Sequence, residues 1–140
     1  MFDLKDEKCL DLLFKKVKEA QELSYSPYSN FRVGACIVTK DDRYILGANI
    51  ENASYGLSLC AERNAMFRAH LEGVKKEDIL VLGLVGDSSN FAYPCGACRQ
   101  VMSEMLLLDC PVVIFSLEGK RIITSVKELL PYTFTKEDLK

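Results

Sequence analysis

The order of elements along the chain predicts a three-layer α/β/α domain built on a central mixed five-stranded sheet. Two observations carry that expectation. Apolar residues alternate between helical spacing and short strand-like runs in the sequence helix, strand, strand, helix, strand, helix, strand, strand, helix. Two pairs of strand-like runs are joined by short polar turns, which reads as two hairpins. The length, 140 residues, matches one domain (1–140) with no linker, repeat or low-complexity tract.

Taken in order, Leu10, Leu13, Phe14 and Val17 recur at helical spacing and predict a helix from about Asp6 to Leu23. The turn formers of Ser24-Tyr25-Ser26-Pro27-Tyr28-Ser29-Asn30 end it. Runs from Arg32 to Thr39 and from Arg43 to Asn49 flank Lys40-Asp41-Asp42, the first hairpin. Ala61, Ala65 and Ala69 fall on one face of a helix that starts near Cys60 and stops at Gly73, small enough to press close to a sheet. Ile79 to Gly86 reads as a buried strand. Pro94, a residue favoured at a first helical position, is expected to start a helix with Val101, Met102, Met105 and Leu106 as its apolar face. Val112–Ser116 and Arg121–Thr124 flank Leu117-Glu118-Gly119-Lys120, the second hairpin. Ser125 and Glu128 form a capping box for a short helix ending before Pro131.

Composition narrows the function. Hydrophobic residues at 49% and charged residues at 27% suit a folded globular chain. A formal net charge of -2 offers no electrostatic footprint for nucleic acid or an anionic membrane. The longest apolar run, Ile79 to Val85, is far too short to span a bilayer. The first ten residues hold three acids and no apolar run, so a cytoplasmic protein with reduced thiols is expected.

Six cysteines and one histidine then define the chemistry. Cys9, Cys36 and Cys110 sit in apolar surroundings and read as small buried hydrophobes. His70, late in a helix, reads as a solvated residue at a helix C-terminal end. Cys60 opens Cys60-Ala61-Glu62-Arg63, and Pro94-Cys95-Gly96-Ala97-Cys98 is a CxxC. Because a helix follows the second strand and another the third, Cys60 and the Cys95/Cys98 pair are expected to meet at the carboxyl edge of the sheet. Three cysteines suit a tetrahedral zinc with one position open, as catalytic sites have. A ligand-x-Glu followed by Pro-Cys-x-x-Cys is the zinc deaminase signature, here in a three-cysteine form. Three thiolates and Zn²⁺ sum to -1, which works against an acidic bound water. Arg63 and two helix N-termini are expected to withdraw that charge. Other classes explain fewer residues. A thiol–disulfide oxidoreductase would use the CxxC at a helix start but leaves Cys60, Glu62 and Arg63 without a role. A zinc-stabilised binding module would want a fourth ligand. A polynucleotide-editing deaminase would want a basic strand-binding groove.

The chain resembles the homotetrameric cytidine deaminases. The resemblance rests on Asn49-Ile50-Glu51-Asn52-Ala53-Ser54-Tyr55-Gly56-Leu57-Ser58-Leu59-Cys60-Ala61-Glu62-Arg63 and on Pro94-Cys95-Gly96-Ala97-Cys98-Arg99-Gln100. Ser26-Pro27-Tyr28-Ser29-Asn30-Phe31-Arg32-Val33-Gly34-Ala35 and Leu129-Leu130-Pro131-Tyr132-Thr133-Phe134 extend it over nearly the whole chain. Two positions depart: Arg32 stands where many members have Pro, and Tyr93 where Ser is common. Blasticidin-type deaminases are the closest rival, and Arg63 after the glutamate is the residue that weighs against them.

The resemblance implies a cytidine deaminase-like fold and hydrolytic deamination of cytidine and 2′-deoxycytidine to the uridines, with release of ammonia, in pyrimidine salvage. It implies one zinc per subunit on Cys60, Cys95 and Cys98, with Glu62 as the catalytic proton carrier. It implies that Asn49 and Glu51 bind the ribose, that Phe31 walls the base, and that Ala61 offers backbone groups to it. Tyr55 and Phe134 are implied to reach neighbouring subunits' sites in a homotetramer with shared active sites. The partner implied is a small nucleoside, with neither nucleic acid nor membrane.

Overall fold

The computed structural model describes residues 1–139. Five strands, β1 (Val33–Thr39), β2 (Tyr44–Ala48), β3 (Ile79–Gly86), β4 (Pro111–Phe115) and β5 (Arg121–Ser125), form one mixed sheet in the order β2-β1-β3-β4-β5. Four α-helices accompany it: α1 (Glu7–Gln21), α2 (Ala61–Leu71), α3 (Gly96–Met105) and α4 (Val126–Leu129). Strand β1 runs antiparallel to both β2 and β3, and β4 to β5. Only β3 and β4 pair in parallel, because α3 makes the crossover between them.

Period-two alternation assigns the two faces. Cys36 and Val38 of β1, Val81 and Val85 of β3, and Val113 and Phe115 of β4 pack on Leu10, Leu13 and Val17 of α1. Ala35, Ile37, Leu82, Leu84, Val112 and Ile114 face the other way, toward α2 and α3. Central strands covered on both sides have no polar face to show, which is why β1 and β3 read as unbroken apolar runs. The alanine stripe does what its size allows: a Cβ on Gly47 of β2 would fall 2.4 Å from the Ala61 carbonyl oxygen and 2.5 Å from the Ala65 nitrogen. Helix α2 therefore lies almost on the backbone of β2.

Beyond shifts of one or two residues at the ends of α2 and the strands, the structure differs from the sequence reading as follows. Helix α1 starts after its cap Asp6, whose carboxylate accepts from the Lys8 amide, and it stops at Gln21, two residues short of Leu23. Pro94 lies outside α3, because Cys95 is the cap: its backbone is extended and its Sγ accepts from the Cys98 amide at 3.5 Å. Cys9 is half-buried where Cys36 and Cys110 are buried. Three short 3-10 turns, at Tyr55–Leu57, Lys76–Asp78 and Lys136–Leu139, carry too few apolar residues to show a period. Half of the predicted capping box forms: Ser125 Oγ accepts from the Glu128 amide at 3.4 Å, while the Glu128 carboxylate accepts from the Ser125 hydroxyl at 3.0 Å rather than from the Ser125 amide.

Candidate active site

Strands β2 and β3 point the same way, since each is antiparallel to β1, so α2 and α3 begin at the same edge of the sheet. Cys60 caps α2 and Cys95 caps α3, while Cys98 occupies the first turn of α3. Their sulfurs converge: Cys60 Sγ lies 3.9 Å from Cys95 Sγ, and Cys95 Sγ lies 3.5 Å from Cys98 Sγ. A tetrahedral zinc with bonds of about 2.3 Å holds its sulfurs about 3.8 Å apart, so the thiols fit such an ion. Among the described residues no other group of His, Cys, Asp or Glu could hold a metal.

The electrostatics favour thiolate at Cys60. A hydrogen bond from the Cys98 thiol and the Arg63 guanidinium together bring Cys60 down to about 5, against the opposing effect of burial. Arg63 Nη2 donates to Cys60 Sγ at 3.3 Å, which is the contact expected of it. The Cys98 thiol is pushed up by its bond to the Cys60 thiolate and by burial.

Glu62, one residue into α2, is 4% exposed, and burial pushes its carboxyl up to about 7. It shares a pocket of about 190 Å³ with Phe31, Asn49, Cys60, Ala61 and Cys95, and Tyr93 stands on the same wall. Cys98 lies buried behind it. Asn49 is held by its own chain: Oδ1 accepts from the Val33 amide at 2.8 Å and from Ser24 Oγ at 2.5 Å, and Nδ2 donates to the Phe31 carbonyl at 2.8 Å. One Nδ2 hydrogen is left over for another acceptor.

Glu51 and Tyr55 line a neighbouring cavity of about 320 Å³ with Ser29 and Ser58. The Glu51 carboxylate accepts from the Ser29 hydroxyl and from the Ser29 and Tyr28 amides, each amide at 3.0 Å, and these bonds hold its pKa low. Tyr55 sits edge-on to Tyr28, ring centres 6.2 Å apart. Phe134 lines neither cavity; its carbonyl accepts from Gln100 Nε2 at 3.0 Å and its ring is exposed.

Several supporting residues were not foreseen. Ser24 orients Asn49. Arg99 spans from the Pro94 carbonyl (2.8 Å) to the Leu129 carbonyl (2.9 Å), tying the metal loop to α4. Arg32 grips Asp87. Each partner is remote in sequence except Pro94, and the arginine following the CxxC was the available signal for that one.

Comparison with known proteins decides the family. Residues 7–114 match the family described as the cytidine and deoxycytidylate deaminase zinc-binding region. The chain belongs to this family. A cytidine deaminase of Halalkalibacterium halodurans is 48% identical over 128 residues, covering 91% of this chain and 96% of that one. A second, from Sporosarcina psychrophila, is 42% identical over 130 residues, 93% of this chain and 94% of its own. The crystal structure of cytidine deaminase from Burkholderia pseudomallei superposes with a TM-score of 0.86 at 44% identity, covering 89% of this chain and 98% of that one. The deaminase fold and its zinc-binding region are thus those of this chain, and the three-cysteine cluster could hold such an ion. No helix among the described residues is long and apolar enough to cross a membrane.

Proposed function

We propose that this chain hydrolyses cytidine and 2′-deoxycytidine to the corresponding uridines and ammonia, as a step in pyrimidine salvage. The single observation that carries the reading is the buried Glu62 sharing a pocket with Cys60 and Cys95, two of the three convergent thiols. Cys60, Cys95 and Cys98 would hold the zinc. Zinc in such a site supplies a Lewis acid that makes water acidic near neutral pH. Glu62 moves the protons. Its carboxylate takes one from the attacking water and delivers it to ring N3 as the water oxygen bonds to C4. It then passes the second hydroxyl proton to the exocyclic amine; the C4–N4 bond breaks and ammonia leaves. A carboxyl poised near neutrality can both accept and donate, which this sequence of transfers needs.

Binding is divided between the two cavities. Phe31 stacks on the base, Ala61 offers backbone groups to it, and Asn49 uses its spare Nδ2 hydrogen on a sugar hydroxyl. Glu51 accepts from sugar hydroxyls and repels a phosphate, favouring a nucleoside over a nucleotide. Arg63 offsets thiolate charge. The whole chain, 1–140, acts as one catalytic domain.

The proposed assembly is a homotetramer with shared sites in the cytoplasm. Its support is an apolar surface around a groove of about 380 Å³ where Leu23, Ile50, Phe67 and Leu71 are exposed. Tyr55 and Leu57 are also exposed, each at 73%. Tyr55 and Phe134 would complete neighbouring sites. Exposed apolar area of this extent favours a partner surface. Loss of the ultraviolet band of cytidine on incubation with zinc-loaded protein tests the reaction. Persistence of the band, with blasticidin consumed instead, would replace it with the rival substrate. Light scattering tests the assembly: Leu71→Asp is expected to reduce the particle mass, and a monomeric parent protein would overturn it.

A further inference from the structure

The geometry assigns Arg32 and Asp87 as a positioning pair that sets the Phe31 wall of the substrate pocket, an inference that rests on the nucleoside reading above. Phe31 belongs to the turn region between α1 and β1, where the preceding residue, Asn30, is in a left-handed conformation (φ 55). No ladder of helix or strand fixes the ring; the Phe31 carbonyl accepts from Asn49 Nδ2 at 2.8 Å and its amide donates to Ser29 Oγ at 3.0 Å, and the residue that follows, Arg32, is held separately. Asp87 supplies the anchor. Its Oδ2 accepts from the Arg32 amide at 2.9 Å and from Arg32 Nε at 2.9 Å, and its Oδ1 accepts from Arg32 Nη2 at 3.1 Å. Gln21, fully buried, closes the arrangement by donating Nε2 to the Arg32 carbonyl at 3.1 Å and to Asp87 Oδ1 at 3.3 Å. Both backbone polar groups of residue 32 are thereby fixed.

Asp87 is well placed to act on the ring next door. It follows Gly86, the last residue of β3, and the Phe31 ring rests on that glycine: a Cβ there would lie 2.9 Å from both Cε1 and Cζ. One step of chain, Gly86-Asp87, thus receives the ring by contact and locks the next residue's backbone by charge. An exposed ion pair is ordinarily worth little. This one is a two-pronged guanidinium–carboxylate fork with a backbone amide added, and the Asp87 side chain is only 19% exposed. Proline at position 32 would abolish all three donations to Asp87, since it lacks both the amide hydrogen and the guanidinium. The pair touches no metal ligand; it acts through Phe31, on binding of the base.

The test compares zinc-loaded parent protein with Arg32→Ala, Arg32→Lys, Asp87→Asn, and the double variant Arg32→Ala/Asp87→Asn. KM and kcat for cytidine, zinc content, and amide hydrogen exchange over residues 24–33 are measured. Each single variant is expected to raise KM about tenfold with kcat within about twofold, the size of losing one stacking partner. Arg32→Lys keeps the charge without the fork and is expected to stay impaired. The double variant is expected to be little worse than the worse single one, because each single variant already breaks the guanidinium–carboxylate fork. Exchange over 24–33 should quicken while zinc content holds. Unchanged exchange would refute the tether, and quickened exchange with unchanged KM would refute its action on the pocket. A proportionate loss of kcat and zinc in every variant would reduce the pair to general stability and overturn the inference. Parent protein that leaves cytidine intact would sink the nucleoside reading itself; the exchange measurement would then judge the tether alone.

Discussion

Cys36, midway along β1, and Cys60, at the start of α2, carry the same thiol and hold its proton very differently. Burial in the α1 face of the sheet pushes Cys36 up to about 12, while Cys60 is brought down to about 5 by the Cys98 hydrogen bond and by Arg63. A thiol surrounded by aliphatic side chains behaves as a small hydrophobe; one at a helix N-terminus beside a guanidinium behaves as an anion. The two faces of one sheet therefore divide the work. The α1 face, with Leu13 and Val17 completely buried, is packed for stability, and the α2/α3 face gives up some of its apolar lining to thiols and a carboxylate.

The largest effect should come from breaking the reactive set. Cys95→Ser is expected to empty the site of zinc and reduce turnover at least about a thousandfold, read by elemental analysis and the cytidine assay. Glu62→Gln separates proton transfer from metal binding. Turnover should fall about 10²–10⁴-fold with zinc retained, and a nearly active variant would remove Glu62 from its role. Arg63→Ala sharpens the charge argument, with an expected loss of about 10–100-fold in zinc affinity or activity, measured by chelator competition.

The packed thiols should give the smallest effect, confined to stability. Cys36 and Cys110 are each pushed up to about 12 by burial, from an ordinary 9. Their folded pKa values are raised, so the stability tied to the neutral thiols is complete below pH 9 and is lost as pH climbs toward 12. The slope is about 1.4 kcal/mol per pH unit per thiol. Cys36→Ala should lower stability by about 1 kcal/mol at pH 7, flatten the alkaline loss in urea melts, and leave kcat unchanged. An unaltered alkaline slope would show that this thiol does not set it.

How much was legible follows from how local each determinant is. Helix α2, strand β3 and the Ser125 cap were readable because period, run length and capping are properties of neighbouring residues. Pro94 reads as a first helical residue, but Cys95 is the cap, its Sγ accepting from the Cys98 amide, and proline falls one residue before that cap. Asn49 read as a sugar ligand, yet most of its hydrogen-bonding capacity is spent on Ser24, Phe31 and Val33, between 16 and 25 residues away.

The sequence by itself determined the chemistry: three thiols and Glu62 at spacings that put two caps and a carboxylate at the starts of two helices. Those spacings are local, and the parallel course of β2 and β3 follows from hairpin and crossover rules. Tertiary structure alone decided the geometry around that chemistry. It brought the sulfurs to within 4.8 Å of one another, buried Glu62, and joined Arg32 to Asp87 across 55 residues. Hydrogen bonds and burial between distant segments depend on how the sheet and helices pack, and no periodicity in the chain encodes them.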